Sequence, residues 1–344
     1  MKVLGIETSC DETSAAVVTG DREIKSNIIK SQIAKTTAYG GVVPEITARL
    51  HIDVLDKIIE QALSQANVDI NELDGVAATT GPGLIGGVIV GAMAAKAIAA
   101  VINKPFLAVN HLAAHALTIR LTDNIDFPYL LMLVSGGHCQ VIIVHRSDNY
   151  EILGSTMDDA VGEAFDKTGR LLGIPYPAGA TIEKLAAQGN PKAYNFPRPL
   201  ISKNQNNYSP FSFSFSGLKT AARIEINKVD DISENFKYDI CASFQTAVGD
   251  ILVNRVHNAL KLCQERGIKL TGLVVAGGVA ANMYLRECLT KVSKDHGVSF
   301  YAPPIDLCTD NGAMVAWAGI EKLKLGQFDS LDFTPRPRWP LNEL

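Results

Sequence analysis

The sequence predicts an α/β protein made of two similar halves, each with the element order β-β-β-α-β-α-β-α. Two observations lead to this prediction. The order of apolar strands and helices repeats from Tyr129 onward, and tight turns containing glycine or acidic residues follow corresponding strands in both halves. With 344 residues, of which 47% are hydrophobic, the chain is long enough for two lobes with separate cores.

In the first half, three strands precede alternating helices and strands. The predicted elements are strands Lys2–Thr8, Thr13–Thr19 and Glu23–Ser31, helix Pro44–Ala66, strand Gly75–Thr79, helix Leu84–Ile102, strand Phe106–Val109 and helix Asn110–Leu121. The apolar run Gly83–Ile102 has the length of a membrane span. Lys96 and the many Gly and Ala residues in this run favour a buried helix, so no membrane association is expected.

The second half repeats the order and carries an irregular insertion at about 189–234. Its predicted elements are strands Tyr129–Val134, Cys139–His145 and Glu151–Thr156, helices Asp158–Leu172 and Tyr238–Arg266, strand Leu273–Ala276, helix Val279–Ser293, strand Val298–Tyr301 and a last helix from Thr309-Asp310 to just before Gly326. Within the insertion, the alternating run Phe211–Lys219 is compatible with an added strand.

The duplicated order resembles the actin, hexokinase and Hsp70 ATPase architecture, in which two ribonuclease-H-like lobes enclose a nucleotide in an interlobe active-site cleft. The resemblance implies an N-terminal lobe of residues 1–110 and a C-terminal lobe of residues 111–344. The last helix, at about 311–326, is expected to be able to pack back on the first lobe.

Two histidines four residues apart, His111 and His115, lie on one face of the predicted helix after strand Phe106–Val109. Asn110 can cap this helix, whose N-terminal dipole favours neutral imidazole, the form that binds metals. A pair of core histidines is the alternative from spacing alone. A metalloprotease would need Glu directly after the first histidine, and that position is Leu112.

The internal repeat places Asp310 at the start of the helix that corresponds to the histidine helix. In the resembling architecture such helices lie along the seam between the lobes, so Asp310 can meet His111 and His115 there. Two imidazoles and one carboxylate form a facial set that leaves coordination positions open, which suits Fe(II) or Zn(II). A plain helix N-cap is the alternative interpretation of Asp310.

Three strand ends carry tight turns, at Asp11-Glu12, at Ser135–His138 and at Ala276–Val279. Gly-Gly turns let backbone amides approach an anion closely, and a helix N-terminus adds its dipole. Two such turns at corresponding strand ends indicate a nucleotide, although each alone can serve only a sharp bend. Asp166 could accept hydrogen bonds from ribose hydroxyls, and Asn282 could contact phosphate or base; solvated helix positions are the alternative for both.

Composition and charge limit the cellular compartments and the binding partners with which the sequence is compatible. The six cysteines form no CxxC pair and have irregular spacing, which fits free thiols in a reducing cytoplasm. A net charge of −4 provides no global attraction for nucleic acid, so RNA binding would need a local patch.

The insertion interleaves cations with aromatic residues and is a candidate for RNA contact, against the alternative of a surface loop with core anchors. Its residues of these types are Lys192, Arg198, Lys203, Lys219, Arg223, Lys228, Tyr194, Phe196, Tyr208, Phe211, Phe213 and Phe215.

Seven motifs spread over nearly the whole chain resemble the TsaD family of tRNA N(6)-adenosine threonylcarbamoyltransferases, formerly described as glycoproteases. They are Gly5-Ile-Glu-Thr-Ser-Cys-Asp-Glu-Thr13, Gly41-Val-Val-Pro-Glu45, His111-Leu-Ala-Ala-His115, Val134-Ser-Gly-Gly-His138, Gly162-Glu-Ala-Phe-Asp-Lys167, Phe213-Ser-Phe-Ser-Gly-Leu-Lys219 and Gly277-Gly-Val-Ala-Ala-Asn282. With His138 at the end of its motif, the chain resembles the bacterial rather than the archaeal members of the family.

The resemblance implies transfer of a threonylcarbamoyl group from threonylcarbamoyl-AMP to the N6 amine of the adenosine next to the anticodon, in tRNAs reading codons that begin with A. His111, His115 and Asp310 match the family's metal ligands, with iron favoured and zinc the alternative. Asp11 or Glu12 is the candidate to position the amine or take its proton. The family's substrate-binding positions match Val134, Ser135, Gly136, Gly137, His138, Asp166, Gly179 and Asn282.

Two residues depart from the family pattern. The family usually has Pro-Gly-Gly where this chain has Pro177-Ala178-Gly179, and this difference could change how closely the backbone approaches the ligand. Glu183 stands where Asp is usual, and a ribose contact is expected of it.

The resemblance also implies partners: tRNA, a smaller inactive TsaB-like paralogue on the N-terminal lobe near Pro44–Ala66, and a TsaE-like ATPase. ATP, ADP or AMP could occupy the cleft, and the isolated chain could form a homodimer. The main alternative function is an actin-fold small-molecule kinase or ATPase. A metalloprotease and a catalytically silent scaffold are the others, and the intact motifs disfavour a scaffold.

Overall fold

The chain forms two compact units in a computed structural model that describes residues 1–36, 41–201 and 208–344. The first unit comprises residues 1–124, 146–150 and 309–344, and the second comprises residues 125–145 and 151–308. This division differs from the predicted boundary at residue 110. The helix after that boundary packs with the last helix of the chain, so both belong to the first unit.

Within the described ranges, ten strands form two five-stranded mixed sheets. The strands are β1 Lys2–Glu7, β2 Glu12–Thr19, β3 Ile24–Ser31, β4 Gly75–Gly81, β5 Phe106–Asn110, β6 Tyr129–Val134, β7 Cys139–Arg146, β8 Asn149–Ser155, β9 Leu273–Ala276 and β10 Phe300–Tyr301. The first sheet has the order β3-β2-β1-β4-β5, and the second, read from its other edge, has the same pattern, β8-β7-β6-β9-β10. In both sheets an antiparallel hairpin is extended by parallel strands. The predicted duplication is confirmed.

Helices cover these sheets. They are α1 Ile33–Thr36, α2 Pro44–Ile52, α3 Leu55–Ala66, α4 Ile85–Ile102, α5 His111–Thr122, α6 Val161–Leu171, α7 Gly179–Ala186, α8 Ser216–Ile226, α9 Glu234–Glu265, α10 Met283–Asp295 and α11 Gly312–Lys324. The predicted helix Pro44–Ala66 is two helices, because Val54 leaves helical geometry at φ −132°. The break lets α2 place buried His51 in its last turn while α3 turns a separate apolar face toward the core.

In the first unit, α11 packs directly on β1, and the contact requires glycine. A Cβ atom added to Gly5 would lie 2.3 Å from the Ala316 nitrogen and the Gly312 oxygen of α11. The backbone of β1 therefore packs directly against the backbone of α11. This packing brings the segment preceding α11 close to the carboxyl ends of the strands.

α4 is exposed along one side, although its sequence favours a buried helix. Gly87, Val88 and Gly91 are buried, whereas Ile89 and Met93 are exposed. Of the helices in the described ranges, α4 alone is long and apolar enough to cross a membrane, and only 33% of it is buried. The helix that was expected to be buried is therefore buried along one face only.

The run Phe211–Lys219 does not form an added strand. It makes one isolated bridge, between Phe213 and Thr156, and then enters α8. The Asp158 carboxylate accepts hydrogen bonds from the Ser214 hydroxyl and from the Phe215 nitrogen at 2.6 and 2.8 Å, so an acid satisfies donors at the start of the helix. This motif fastens the insertion to the turn before α6.

The insertion's aromatic residues mostly serve the core. Phe196, Phe213 and Phe215 are at most 3% exposed. Three of its cations form ion pairs, Arg198 with Asp250, Lys219 with Asp159 and Lys228 with Glu225. Lys203 lies outside the described residues. The contacts favour a surface loop with core anchors over an RNA-stacking surface.

Candidate metal centre and nucleotide-binding loops

The two histidines lie in the first turns of α5, directly after β5. The Asn110 side chain caps the helix, accepting from the Leu112 and Ala113 nitrogens at 2.9 and 3.2 Å. His111 and His115 are 9% and 2% exposed, and their ring centroids are 4.7 Å apart. The helix therefore presents two buried imidazoles side by side.

Asp310 meets both rings. Its Oδ1 atom lies 3.1 Å from Nε2 of His115 and 3.5 Å from Nε2 of His111. One ligand atom from each of the three residues lies within 4.8 Å of the others, a spacing that a single cation can bridge. Asp310 is not the N-cap of α11, because Asn311 performs that role with a 2.9 Å hydrogen bond from the Met314 nitrogen.

All three residues belong to the first unit, whereas the sequence predicted that they would meet at the seam between the lobes. The reason is that α11, which follows Asp310, packs on α5 and on β1. Burial lowers the pKa of His111, but the carboxylates of Asp310 and Glu7 outweigh burial and raise it to about 9. Negative charge at this point favours a cation, and the donor set fits a divalent metal.

Glu7 is a member of this cluster that sequence reasoning did not single out. It is fully buried, and its Oε2 atom lies 3.2 Å from Nδ1 of His111. The Ser9 nitrogen donates to Oε1 and the Thr79 hydroxyl donates to Oε2, each at 2.5 Å. The available signal was an acid at the end of a strand whose preceding four residues are uncharged and buried.

Asp11 and Glu12 lie at the turn between β1 and β2. The His51 ring holds this turn, with Nε2 3.1 Å from the Cys10 oxygen. Burial, followed by the charges of Asp310 and Asp11, raises the pKa of Glu12 to about 10. A carboxyl with this pKa is protonated at neutral pH and acts as a hydrogen-bond donor. A cation held by Asp310 would lower that pKa and favour the ionised form.

In the second unit, β6 ends in a compact glycine turn. The Ser135 nitrogen donates to the His138 oxygen at 2.8 Å, and the His138 nitrogen donates to Oγ of Ser135 at 3.0 Å. Gly136 and Gly137 are exposed, and an added Cβ on either would meet nothing within 4 Å. The turn thus leaves room for a ligand to approach the backbone.

The glycine turn after β9 and the start of α6 both contact the glycine turn after β6. Gly277 has φ +93°, and an added Cβ would lie 2.4 Å from the Val134 oxygen. The Gly162 nitrogen of α6 donates to the Ser135 oxygen at 3.2 Å. The ends of β6 and β9 and the first turn of α6 therefore lie next to one another.

The remaining predicted substrate-binding residues join the neighbouring helices. Asp166 accepts from the Ala178 nitrogen at 2.8 Å, beside Gly179, whose added Cβ would meet nothing within 4 Å. Glu183 accepts from the Met283 nitrogen at 2.6 Å. Asn282 caps α10 and donates to Gln245 at 2.8 Å. These polar groups hold α6, α7 and α10 around the glycine turns.

The Ala178 departure has a structural explanation. Ala178 is fully buried, and a Cβ on Gly169 of α6 would lie 2.2 Å from its methyl group. The extra methyl therefore fills the contact between α6 and the start of α7.

Replacing Gly277 by alanine is expected to destabilise the protein by about 2–3 kcal/mol, since the positive φ and the Val134 oxygen both oppose a Cβ. Gly137→Ala is the matched control and should leave the stability within about 0.5 kcal/mol, as expected for an open surface position. Urea unfolding of the two variants measures the difference. Equal midpoints would contradict the described turn.

The comparison with protein families identifies one family. The family model described as TsaD: tRNA N6-adenosine threonylcarbamoyltransferase matches residues 23–317. A relative of that name from Brucella anthropi is 54% identical over 349 residues, covering 100% of this chain and 96% of the relative. Another, from Methylocapsa acidiphila, is 54% identical over 346 residues, covering 99% and 97%.

Solved structures share the fold at low identity. HypF from T. kodakarensis has a TM-score of 0.64 at 14% identity, covering 94% of this chain and 48% of HypF. Component A of the Acidaminococcus fermentans (R)-2-hydroxyglutaryl-CoA dehydratase has a TM-score of 0.54 at 16% identity, covering 94% and 99%. These likenesses support the duplicated fold alone. The family match and the full-length relatives together show that the chain belongs to the TsaD family of tRNA N6-adenosine threonylcarbamoyltransferases.

Proposed function

We propose that this protein transfers the threonylcarbamoyl group of threonylcarbamoyl-AMP to the N6 amine of the adenosine on the 3′ side of the anticodon, in tRNAs reading codons that begin with A. The observation that carries the proposal is the family match over residues 23–317, with full-length relatives of that name at 54% identity. A small-molecule kinase or ATPase is less supported, because only the fold favours it.

The reaction is an acyl transfer from a mixed anhydride. The amine nitrogen attacks the carbamoyl carbon, the bond from that carbon to the phosphate oxygen breaks, AMP leaves with the electron pair, and the amine loses a proton. An exocyclic adenine amine is a weak nucleophile. The protein must therefore hold the reactants together and stabilise the charge that develops on oxygen.

The second unit is proposed to bind the adenylate part of the donor. The support is the open space above Gly136, Gly137 and Gly179, where backbone can approach a phosphate or ribose without a side chain intervening. Asp166, Glu183 and Asn282 would act mainly by fixing the helices around these turns, because each already makes hydrogen bonds to neighbouring elements. Direct contacts of Val134–His138 with the donor belong to the same proposal.

The first unit is proposed to hold one divalent metal through His111, His115 and Asp310. Two imidazoles and one carboxylate suit Fe²⁺, with Zn²⁺ as the alternative. A bound metal would supply a Lewis acid for the donor's oxygens. Glu12 and Asp11 would position the attacking amine or accept its proton, a role supported by the effect of the Asp310 charge on the pKa of Glu12, because a cation held by Asp310 would favour the ionised, proton-accepting form.

Nucleoside analysis of a complete reaction tests the function. The purified protein is incubated with partner fractions, threonine, bicarbonate, ATP and tRNA, and digested tRNA is examined for threonylcarbamoyl-adenosine by mass spectrometry. The proposal expects the modified nucleoside only when this protein is present. Failure in a mixture that a known family member renders active would refute the assignment.

The partners belong to the same proposal: tRNA as substrate, a TsaB-like paralogue, a TsaE-like ATPase and a cytoplasmic location. Support for the paralogue comes from α2 and α4, which pack together and leave apolar side chains exposed. Ile52 is 65% exposed, and Ile85, Ile89 and Met93, spaced four residues apart on α4, are 43–55% exposed. Such a stripe suits a partner helix or, in the isolated chain, a second copy.

Ile89→Asp is expected to abolish copurification with a TsaB-like partner, because a charge would be buried in an apolar helix contact. Ile224→Asp, on the exposed face of α8 and also an exposed isoleucine, is the matched control and should bind normally. Size-exclusion chromatography of the mixed proteins measures complex formation. Normal binding by Ile89→Asp would place the partner elsewhere.

A further inference from the structure

The His111 ring has two nitrogens with different surroundings. Nε2 faces Asp310 at 3.5 Å, and Nδ1 faces the Glu7 carboxylate and the Ser9 hydroxyl, each at 3.2 Å. A neutral imidazole can bind a metal only through the nitrogen that carries no proton. Metal binding through Nε2 therefore requires a proton on Nδ1.

We propose that Glu7 is the positioning residue that fixes this tautomer and aims Nε2 of His111 at the metal. The inference rests on the proposed metal site. An ionised carboxylate can only accept hydrogen bonds, so its contact with Nδ1 demands a proton there. A hydroxyl can donate or accept, so Ser9 alone leaves both tautomers available.

The surroundings of Glu7 make its orientation specific. The side chain is fully buried at the end of β1, and the Ser9 nitrogen and Thr79 hydroxyl occupy its two oxygens as donors. Three donors therefore converge on one acceptor-only group. This arrangement matches the carboxylate–histidine pairs that orient metal ligands in other sites, whose loss typically weakens metal binding about 10- to 100-fold.

Glu7→Gln is the decisive variant. The glutamine amide turns one oxygen into a donor, so either the Ser9 nitrogen or the Nδ1–H of His111 loses its acceptor. We expect Co²⁺ affinity, measured by competition with a chelator, to fall about 10- to 100-fold, with a changed visible absorption spectrum. The unfolding temperature of the metal-free protein is recorded alongside.

Two further variants keep the test independent of folding. Thr8→Val removes a buried hydroxyl one residue away, whose hydrogen bond goes to the Gly87 oxygen, and should leave Co²⁺ binding unchanged. Ser9→Ala should also bind Co²⁺ normally if Glu7 holds the ring. A loss of affinity in Ser9→Ala as large as that expected for Glu7→Gln would assign the role to Ser9 and overturn the inference.

The outcomes separate this inference from the function it rests on. Wild-type protein that binds no Co²⁺ would refute the metal site itself. Wild-type binding with unchanged affinity and spectrum in Glu7→Gln would refute only the role of Glu7. A lower unfolding temperature with unchanged Co²⁺ affinity would show that Glu7 is merely structural.

Discussion

Asp310→Ala is expected to abolish both metal binding and threonylcarbamoyl transfer. Among the residues that the structure describes, Asp310 is the one carboxylate whose oxygen faces Nε2 of both histidines, at 3.1 and 3.5 Å. Without it, two imidazoles remain, and the anionic ligand that balances a divalent charge is lost. We expect metal content below a tenth of wild type, measured by elemental analysis after purification without chelators, and loss of nucleoside product.

Asp306→Asn provides the control for Asp310→Ala. Asp306 is an exposed acid four residues earlier in the chain, so the substitution removes a nearby charge without touching the ligand set. It should retain full metal content and transfer. Transfer at the wild-type rate by Asp310→Ala protein that lacks metal would make the metal structural and refute its proposed part in the reaction.

Gly5→Ala is expected to give the largest loss of stability among the substitutions considered. The added Cβ would lie 2.3 Å from two backbone atoms of α11, and neither a helix backbone nor a central strand can move aside cheaply. We expect a loss of about 3 kcal/mol or more, the upper range for overpacking. Because α11 follows Asp310, metal affinity should fall as well.

Urea unfolding compares Gly5→Ala with Gly20→Ala. An added Cβ on Gly20 would be no closer than 3.6 Å to its nearest neighbour, which is ordinary contact. Gly20→Ala should therefore unfold at the wild-type midpoint. Equal midpoints for the two variants would mean that α11 does not pack on β1 as described.

The duplicated sheet could be predicted from the sequence because most of its strands are short apolar runs bounded by polar or glycine turns. Hydrophobic period and turn residues are local signals, and they located every strand to within a few residues. The break at Val54 could not be found this way. Beside the break, the His51 ring contacts the Cys10 oxygen, and no local pattern reveals a contact between residues 41 positions apart.

The candidate metal site was predictable because the repeat relates the histidine helix to the segment before α11. Its placement within one unit depends on the packing of α11 on α5, and the sequence indicated only that the last helix could pack back on the first lobe. Glu7 was missed for a similar reason. Its importance comes from proximity to His111 and not from any spacing in the sequence.

For the aromatic run Phe211–Phe215, the sequence suggested a structure and a role that the contacts do not support. Alternation suggested a strand, and interleaved cations suggested RNA contact, yet Phe213 and Phe215 are fully buried. Composition cannot distinguish an aromatic residue that anchors a loop from one that stacks on a base. The ion pairs of Lys219 and Arg198 with neighbouring acids are equally invisible in the sequence.

We expect the transfer of threonylcarbamoyl to tRNA to depend on a metal held by His111, His115 and Asp310. The most direct measurement is a single-turnover reaction with preformed threonylcarbamoyl-AMP, tRNA and partner fractions, using chelator-treated protein with and without one equivalent of Fe²⁺ under anaerobic conditions. We predict modified adenosine only after Fe²⁺ is restored. Equal product in the metal-free and metal-restored reactions would show that the transfer does not need the metal.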